Sequence, residues 1–405
     1  MAELTFQSLR FEDKGNNVRI HFQNVFYFEV DKSILNKIGK FTVDNHTISF
    51  QATQEKAERK FNNIIDKGFT ELKNRVTNKP AYYIHKHSGI PLIGCNYFGL
   101  VDRGTNTIEV KPLTSCNLSC VYCSVDEGPN SRRKVDYIIE KDYLVQEFKK
   151  LIEFKGEEYI DAHINAQGEP TLYAEMVELV RDIAKIPQVK VVSIDTNGTL
   201  LTKEFIDKLA DAGLTRFNLS LNALDQKIAN QMAGFPYNLK KVKELAQYIT
   251  TKMDLIIVPV YLPGINDDEL EKLANFAKEI GAGKKCPAIG VQNFLPYKFG
   301  RNPVKSANWD DFYDKLKKIE EKTEVDMFMT KQDFKIVEAK EYKKPFKKGQ
   351  TIEAEIVLPG RFPKEQLAVA KDRIISIMNC EKTTGIVKAK IKRTKHNIFI
   401  ADFVA

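Results

Sequence analysis

The sequence predicts an α/β protein in three parts: a small β-rich α+β domain over residues 1–95, a run of alternating strands and helices over 96–325, and a small β-barrel over 349–405, reached through a linker at 326–348. Three observations carry that reading. Between Thr107 and Lys322, apolar strand-length runs alternate six times with helix-length amphipathic stretches, the mark of β-α units forming a parallel sheet covered by helices. On either side of this region the hydrophobic period shortens to two. A lysine-rich stretch broken by Pro345, Lys331–Lys348, separates the second and third parts.

Composition narrows the class. A chain of 405 residues exceeds one ordinary domain, and 43% hydrophobic with 29% charged residues is globular usage. No apolar run approaches the roughly 18 residues that span a bilayer, and Met1–Phe6 has neither a basic nor an apolar leader region, so a cytoplasmic protein without membrane contact is expected. Six cysteines, three of them clustered, suit a metal site in a reducing compartment better than a disulfide framework. Abundant Lys and Glu fit a thermophile. Of the net charge of +8, residues 347–405 carry +6, from twelve Lys/Arg against six Asp/Glu. Such a tail is either a solvated domain or a surface for an anionic partner, nucleic acid above all.

In chain order, Val18, Ile20 and Phe22 alternate with polar residues, and Phe41–Val43 with Ile48–Phe50 flank a hairpin turn at Asp44–His46. Thr53 caps a helix carrying Ala57, Phe61, Ile64 and Ile65 on one face and ending at Gly68. His85 and His87, without further ligands nearby, read as ordinary packing or surface residues. Strands are expected at Thr107–Lys111, Tyr159–Ala166, Lys190–Asp195, Arg216–Leu221, Asp254–Tyr261 and Ala288–Phe294. Helices are expected at Lys141–Phe154, Glu175–Ala184, Thr202–Asp211, Lys240–Thr251, Asp267–Ile280 and Trp309–Lys322. Two of these strands have one wholly polar row: Asp161, His163, Asn165 and Asn218, Ser220, Asn222. A parallel sheet buried on both faces is apolar throughout, so these rows line a polar cavity or mark wet edge strands. Thr351–Leu358, Arg373–Met378, Gly385–Ile391 and His396–Phe403 complete the tail as short strands.

Directly after the first strand of the alternating region stand Cys116, Cys120 and Cys123, spaced C-x3-C-x2-C with Tyr122 before the last. Three thiolates on one loop grip a soft-metal centre and leave a coordination position open. A structural zinc loop needs a fourth ligand and usually a second knuckle; Cys95, Cys286 and Cys380 stand singly, which favours an iron–sulfur cluster. The loop resembles the signature of the radical S-adenosylmethionine (radical SAM) superfamily. That resemblance implies a partial (β/α)6 barrel, a 4Fe-4S cluster on the three cysteines, and S-adenosyl-L-methionine chelated at the free iron. It further implies reductive cleavage of that cofactor to a 5′-deoxyadenosyl radical, fed by an external reductant such as ferredoxin or flavodoxin.

Further matches follow at successive strand ends. Gln167-Gly168-Glu169-Pro170 resembles the family's Gly-Gly-Glu-Pro segment, with Gln167 in place of its first glycine; the resemblance implies contact with the methionine amino group, Gly168 allowing close backbone approach and Glu169 complementing an ammonium. Asp195-Thr196-Asn197-Gly198 is similar to the Thr-Asn-Gly turn, Ser220 and Asn222 to polar groups facing the ribose and carboxylate, and Pro263-Gly264-Ile265-Asn266-Asp267 to a turn near the adenine. Gln292 and Phe294 fall where backbone groups reach the adenine, and Tyr122 joins the cofactor set. Asp161, His163 and Asp195 are the candidates for contacting substrate, or for satisfying buried neighbours.

The tail resembles the TRAM domain, a small RNA-binding barrel attached to RNA-modifying enzymes, and the whole resembles archaeal radical SAM proteins with this layout. Small barrels with a basic sheet bind oligonucleotides. Lys388, Lys390 and Lys392 alternate along one strand, with Arg393 and Lys395 beyond. The leading expectation is modification of a nucleoside in tRNA or rRNA, with a chain cut before Lys347 keeping its cluster but losing RNA. The alternative is a protein or metabolite substrate, with the barrel as a partner or dimer interface; a redox-sensing RNA-binding module is a third reading. With only Cys95 in the first hundred residues, and no cysteine-rich tail, sulfur insertion through an auxiliary cluster and the peptide-modifying pattern are disfavoured. A methyl-carrying role for Cys286 with Cys95, as in some RNA methylases of the superfamily, competes with ordinary burial.

Overall fold

The computed structural model describes residues 1–23 and 25–404. Its centre is a sheet of five parallel strands in spatial sequence: β1 (Thr107–Lys111), β2 (Ile160–Ile164), β3 (Val189–Thr196), β4 (Arg216–Leu219) and β5 (Asp254–Ile257), with Gly99–Asp102 antiparallel on the edge of β1. Beyond β5 the wall continues as Val260–Tyr261, paired in parallel with the two-residue β6 (Gln292–Asn293). The sixth strand expected over 288–294 is cut short. Pro259 cannot donate to a ladder and Gly290 brings no side chain to pack, so the wall ends in single bridges such as Ile257 with Ile289.

Seven helices accompany this wall: α1 (Lys141–Lys155), α2 (Met176–Ala184), α3 (Lys203–Ala212), α4 (Gln226–Ala233), α5 (Leu239–Lys252), α6 (Glu269–Glu279) and α7 (Trp309–Thr323). Local chemistry fixes most ends. Thr202, Asn238 and Asn308 accept N–H bonds from the first turns of α3, α5 and α7, while Gly156 and Gly213 close α1 and α3 in the left-handed conformation. The short α4 was not foreseen; Asp225 caps it by accepting from Lys227 and Ile228. Among the described residues, no helix is long and apolar enough to cross a membrane.

The N-terminal segment forms the expected hairpin, Phe41–Asp44 with Thr47–Phe50, and Thr53 caps the helix Gln54–Thr70. Its core is continuous with that of the central sheet: Phe28, Phe50 and Phe61 belong to the same buried cluster as Ile108, Ile164 and Leu219. Strand Ala81–Ile84 also pairs in parallel with Asp136–Ile139, just after the cysteine loop. The 326–348 stretch is a strap. Asn106 Nδ2 donates to Lys335 O at 2.9 Å and its Oδ1 accepts from Val337 N at 2.9 Å. Buried Lys155 bridges Asp102 Oδ1 (2.7 Å) and Lys340 O (3.1 Å), pinning the strap across the starts of the central strands.

The tail closes into a five-stranded barrel of β7 (Thr351–Pro359), β8 (Gln366–Ala370), β9 (Arg373–Met378), β10 (Gly385–Arg393) and β11 (Ile400–Val404), in the order β7-β8-β9-β11-β10. Ile352, Ala354, Ile375, Val387, Ala389 and Phe399 fill it. β8 was not foreseen, and β11 begins at Ile400 because His396 and Asn397 sit at positive φ in a short turn. Leu358, Leu367 and Ile374 on the other side join the main core.

Candidate active site

A cavity of about 890 Å³ runs down the concave side of the central wall. Cys116, Cys120, Tyr122 and Cys123 line one end, and Phe334 and Ile336 of the strap line the other. Between them the polar rows of β2, β3 and β4 face inward and bond to one another in a ring. Arg216 Nη2 donates to Asp161 Oδ2 (3.3 Å) and its Nε to Asn218 Oδ1 (3.1 Å); Asn218 Nδ2 donates to Asp195 Oδ1 (2.9 Å). His163 Nε2 lies 3.2 Å from Asp195 Oδ2, its Nδ1 lies 3.0 Å from Ser193 Oγ, and Ser193 donates back to Asp161 at 3.4 Å. Burial alone lowers an imidazole pKa, but the Asp195 carboxylate outweighs it and holds His163 above its ordinary value. For Asp195, burial pushes upward and the His163 contact wins, leaving its pKa below the usual carboxylate range.

The cysteine loop is held on three sides. Thr114–Ser115, at its start, pairs in parallel with Gln167–Gly168. A Cβ on Gly168 would sit 1.8 Å from the Ser115 carbonyl oxygen, and its φ is +154°. The glycine therefore admits the chain leading into Cys116 at close range. Ser119 and Val121 donate to the carbonyls of Ala233 and Met232 at the end of α4, at 3.1 and 3.0 Å. Asn117 bonds both Thr199 Oγ1 (2.8 Å) and Asn197 Nδ2 (3.0 Å), joining the loop to the Thr-Asn-Gly turn. Burial, reinforced by the neighbouring thiols, pushes the Cys116 thiol well up and Cys120 up to about 12; Cys123 is also raised by burial.

Asp161, His163 and Asp195 share the cavity with the three cysteines, as do Tyr122, Gly168, Glu169, Asn197, Ser220, Asn222, Gln292 and Phe294. Several of these groups are committed to the protein. Both Glu169 oxygens accept from Thr171, Thr196 and Asn197, with Asn197 N at 2.8 Å, so its carboxylate anchors the turn and has no oxygen without a protein donor. The Asn222 amide accepts from Val260 N (2.8 Å) and donates to Tyr122 Oη (2.7 Å). The N–H groups of Gln292 and Phe294 bond the carbonyls of Pro259 and Tyr261. Gln167 is buried in its pairing with Thr114 and does not line the cavity.

Cys286, the methyl-carrier candidate, bonds Asp254 Oδ2 (3.2 Å) through Sγ at the start of β5 and is not among the cavity-lining residues. Cys95 is buried, with its thiol pushed up to about 11 by that burial.

Sequence reading missed four features. Arg216, at the head of β4, is the cation of the ring; Phe334 lies 5.1 Å under its guanidinium. An aromatic series, Trp309 on Tyr313 (5.7 Å) and Tyr313 on Phe328 (6.1 Å), forms part of the cavity wall with Trp309 and Tyr313 half exposed. The only signal was a lone Trp with a Tyr four residues on. Arg301 and Arg361, which hold the far side of the cysteine loop, gave no signal at all.

Among the described residues, no three His, Cys, Asp or Glu side chains converge as ligands of one metal ion. The three thiols line one cavity and lie near enough for each to feel another's charge, a set that could give one thiolate to each of three corners of a multi-iron cluster. The donor set fits such a group.

Residues 110–277, which include all three cysteines, match the radical SAM superfamily. An uncharacterized protein of Methanocaldococcus jannaschii is 37% identical over 97% of this chain and 96% of its own length. A probable GTP 3′,8-cyclase of Pyrococcus horikoshii is 27% identical over 55% of this chain and 66% of its own. Among solved structures, Streptococcus suis SuiB bound to S-adenosylmethionine aligns with a TM-score of 0.42 and 14% identity over 80% of this chain and 72% of that one. The chain belongs to the radical SAM superfamily, whose members bind S-adenosylmethionine and a 4Fe-4S cluster.

Proposed function

We propose that Cys116, Cys120 and Cys123 hold a 4Fe-4S cluster, that S-adenosyl-L-methionine binds beside it in the cavity, and that the enzyme modifies a nucleoside of tRNA or rRNA. The observation that carries the first part is the meeting of three thiols from one loop with an inward polar ring in a single cavity. When bound, the cluster and S-adenosylmethionine supply one-electron cleavage of the sulfonium bond and a 5′-deoxyadenosyl radical.

The chain's own residues do the rest. Asn197 and Gly168 fix the loop, and on the adjoining wall Ser220 presents a hydroxyl beside the hydrogen-bonded pair of Tyr122 and Asn222. Phe334 and Ile336 of the strap add an apolar wall to the cavity opposite the cysteines. At its floor Arg216 offers donors and Asp195 an acceptor. His163 faces Asp195 through Nε2 and Ser193 through Nδ1, and the Asp195 carboxylate raises its pKa, so the pair holds Asp195 in place at the cavity wall.

The RNA assignment rests on the charge of the tail and on Lys388, Lys390, Lys392, Arg393 and Lys395, all exposed on or just after β10. One observation favours the second reading, a protein or metabolite substrate. Lys388 stands opposite Glu353 on β7, and Lys392 pairs with Asp402 at 3.1 Å, so the row is partly neutralised.

Anaerobic reconstitution should give about four irons per chain, and reduction with S-adenosylmethionine should release 5′-deoxyadenosine. Zinc in place of iron, or full iron content in Cys116→Ala, refutes the cluster. For the substrate, nucleoside mass spectrometry of RNA from a deletion strain should reveal one missing modification; intact profiles in tRNA and rRNA turn the assignment to a protein or metabolite.

A further inference from the structure

The C-terminal barrel reaches the cysteine loop through one side chain. Arg361, in the turn between β7 and β8, is 1% exposed. Its Nε donates to Val135 O at 3.0 Å, and its Nη2 donates to Glu127 Oε2 and Asp136 Oδ1, each at 3.0 Å. Its Nη1 bonds the second Glu127 oxygen. The turn is braced from behind by buried Glu365, which accepts from Arg361 N (2.8 Å), Phe362 N (2.9 Å), Tyr97 Oη (2.6 Å) and the Ser376 hydroxyl.

Glu127 is in turn one hydrogen bond from a cysteine. Its N–H donates to Cys123 Sγ at 3.3 Å, and its carbonyl accepts from Arg301 Nη2 at 2.9 Å. Arg301 Nη1 donates to Cys120 O at 3.0 Å and its Nε to Asp126 Oδ1 at 2.8 Å. The following residue, Gly128, lies so close to Leu118 that a Cβ would sit 1.7 Å from the Leu118 carbonyl oxygen. The segment after Cys123 therefore has one packed position, set from the central domain by Arg301 and from the tail barrel by Arg361.

We propose that Arg361 is a positioning residue for Cys123, and that the C-terminal barrel is a clamp on the cysteine loop whatever its outer face binds. A module attached only to capture a partner needs no guanidinium buried against two carboxylates inside the catalytic domain. Such a charge set costs several kcal/mol of desolvation and is stable only with near-complete pairing, which the three-sided contact of Arg361 provides. What the clamp fixes is the N–H that faces a thiolate ligand, and hydrogen bonds to cysteine sulfur are among the terms that set cluster electronics. This rests on reading Cys123 as a cluster ligand, but the position of the loop belongs to the apoprotein and can be tested there.

The test is alkylation of the full-length apoprotein by iodoacetamide, followed at each of the six cysteines by peptide mass spectrometry. In Arg361→Met, Cys123 should react about tenfold faster or more through local opening of the loop, while buried Cys95 and Cys380 stay as protected as in the parent. Arg361→Lys keeps the cation and the stem but not the two-pronged contact, and should fall between. In reconstituted protein, the resonance spectrum of the reduced cluster should change in Arg361→Met and return part-way in Arg361→Lys. Parent-like reactivity of Cys123 in a methionine variant whose Cys95 and Cys380 remain protected overturns the clamp. If the methionine variant exposes all three, Arg361→Lys decides, and parent-like reactivity at Cys123 overturns it equally. Failure to bind iron in every form would instead refute the cluster reading, leaving the alkylation result intact.

Discussion

The two faces of the C-terminal barrel carry cations in opposite settings. Inward, Arg361 is enclosed and meets two carboxylates and a carbonyl. Outward, Lys388, Lys390 and Lys392 stand in solvent on β10, with Glu353 and Asp402 near enough to share their charge. Breaking a buried pair from one side costs about 3–5 kcal/mol because the stranded charge stays dry, whereas an exposed pair contributes about 0–1 kcal/mol. Composition counts both alike as tail charge. Only burial shows that the one arginine is part of the catalytic domain's architecture and that the lysines are free for other work.

The largest test of this contrast is deletion. The sequence suggested that a chain ended before Lys347 keeps its cluster; the contacts of Arg361 predict the opposite outcome. Such a cut removes Arg361 and strips Leu358, Leu367 and Ile374 from the main core, along with the bond from Tyr137 Oη to Pro359 O at 2.6 Å. The truncated chain should retain less than about one iron, against about four for the full protein, by metal analysis after anaerobic reconstitution. Full iron retention would make the barrel a detachable module. Next in size, Arg361→Met should lower unfolding free energy by about 3–5 kcal/mol in denaturant titration; a loss under about 1 kcal/mol would place it with the outer lysines.

The lumen ring lies between these extremes, since His163 and Asp195 are partly open to the cavity. Asp195→Asn removes the largest of the charges that raise His163, leaving burial opposed only by the smaller contributions of Asp161 and Glu109, so the imidazole pKa should fall in an NMR titration. The sign for stability follows. A histidine whose folded pKa is raised stabilises the fold below its unfolded pKa and loses that contribution as pH rises through the folded value. The parent should therefore lose stability across that window, and the asparagine variant should not. A parent-like titration in Asp195→Asn would mean that Asp161 and Glu109 hold the proton.

Much of the wall was legible because its signals are local. β1 and β9 have the residue bounds that period-two patterning gave, and helix ends marked by Thr202, Asn308, Gly156 and Gly213 fall within a residue or two of expectation. The polar rows of β2 and β4 also announced a cavity, and the cysteine spacing announced its chemistry. What was hidden depends on partners far away in sequence. Arg361 meets Glu127 across 234 residues, and nothing in Gly360-Arg361-Phe362 distinguishes it from a surface turn. The strap looked like a solvated linker because its lysines dominate the composition while Phe334 and Ile336 turn inward. Gly168 was noticed for its freedom, but its close approach to Ser115, which depends on pairing across the cysteine loop, was not foreseen.

The smallest expected effect concerns the outer face, and it decides what that face is for. Replacing Lys388, Lys390 and Lys392 with Gln should change stability by less than about 1 kcal/mol, since the row is exposed and Lys392 has only one surface partner, Asp402. If the row binds RNA, the slope of log affinity against log salt should fall by nearly one for each phosphate that the variant no longer neutralises. The acids give a stronger criterion. Glu353 stands opposite Lys388 and Asp402 opposite Lys390, so they compete with phosphate for the same ammonium groups. Glu353→Gln with Asp402→Asn should therefore tighten RNA binding at moderate salt if β10 is the contact surface. Unchanged affinity in both the lysine and the acid variants would remove RNA from this face and leave the inward clamp as the barrel's contribution.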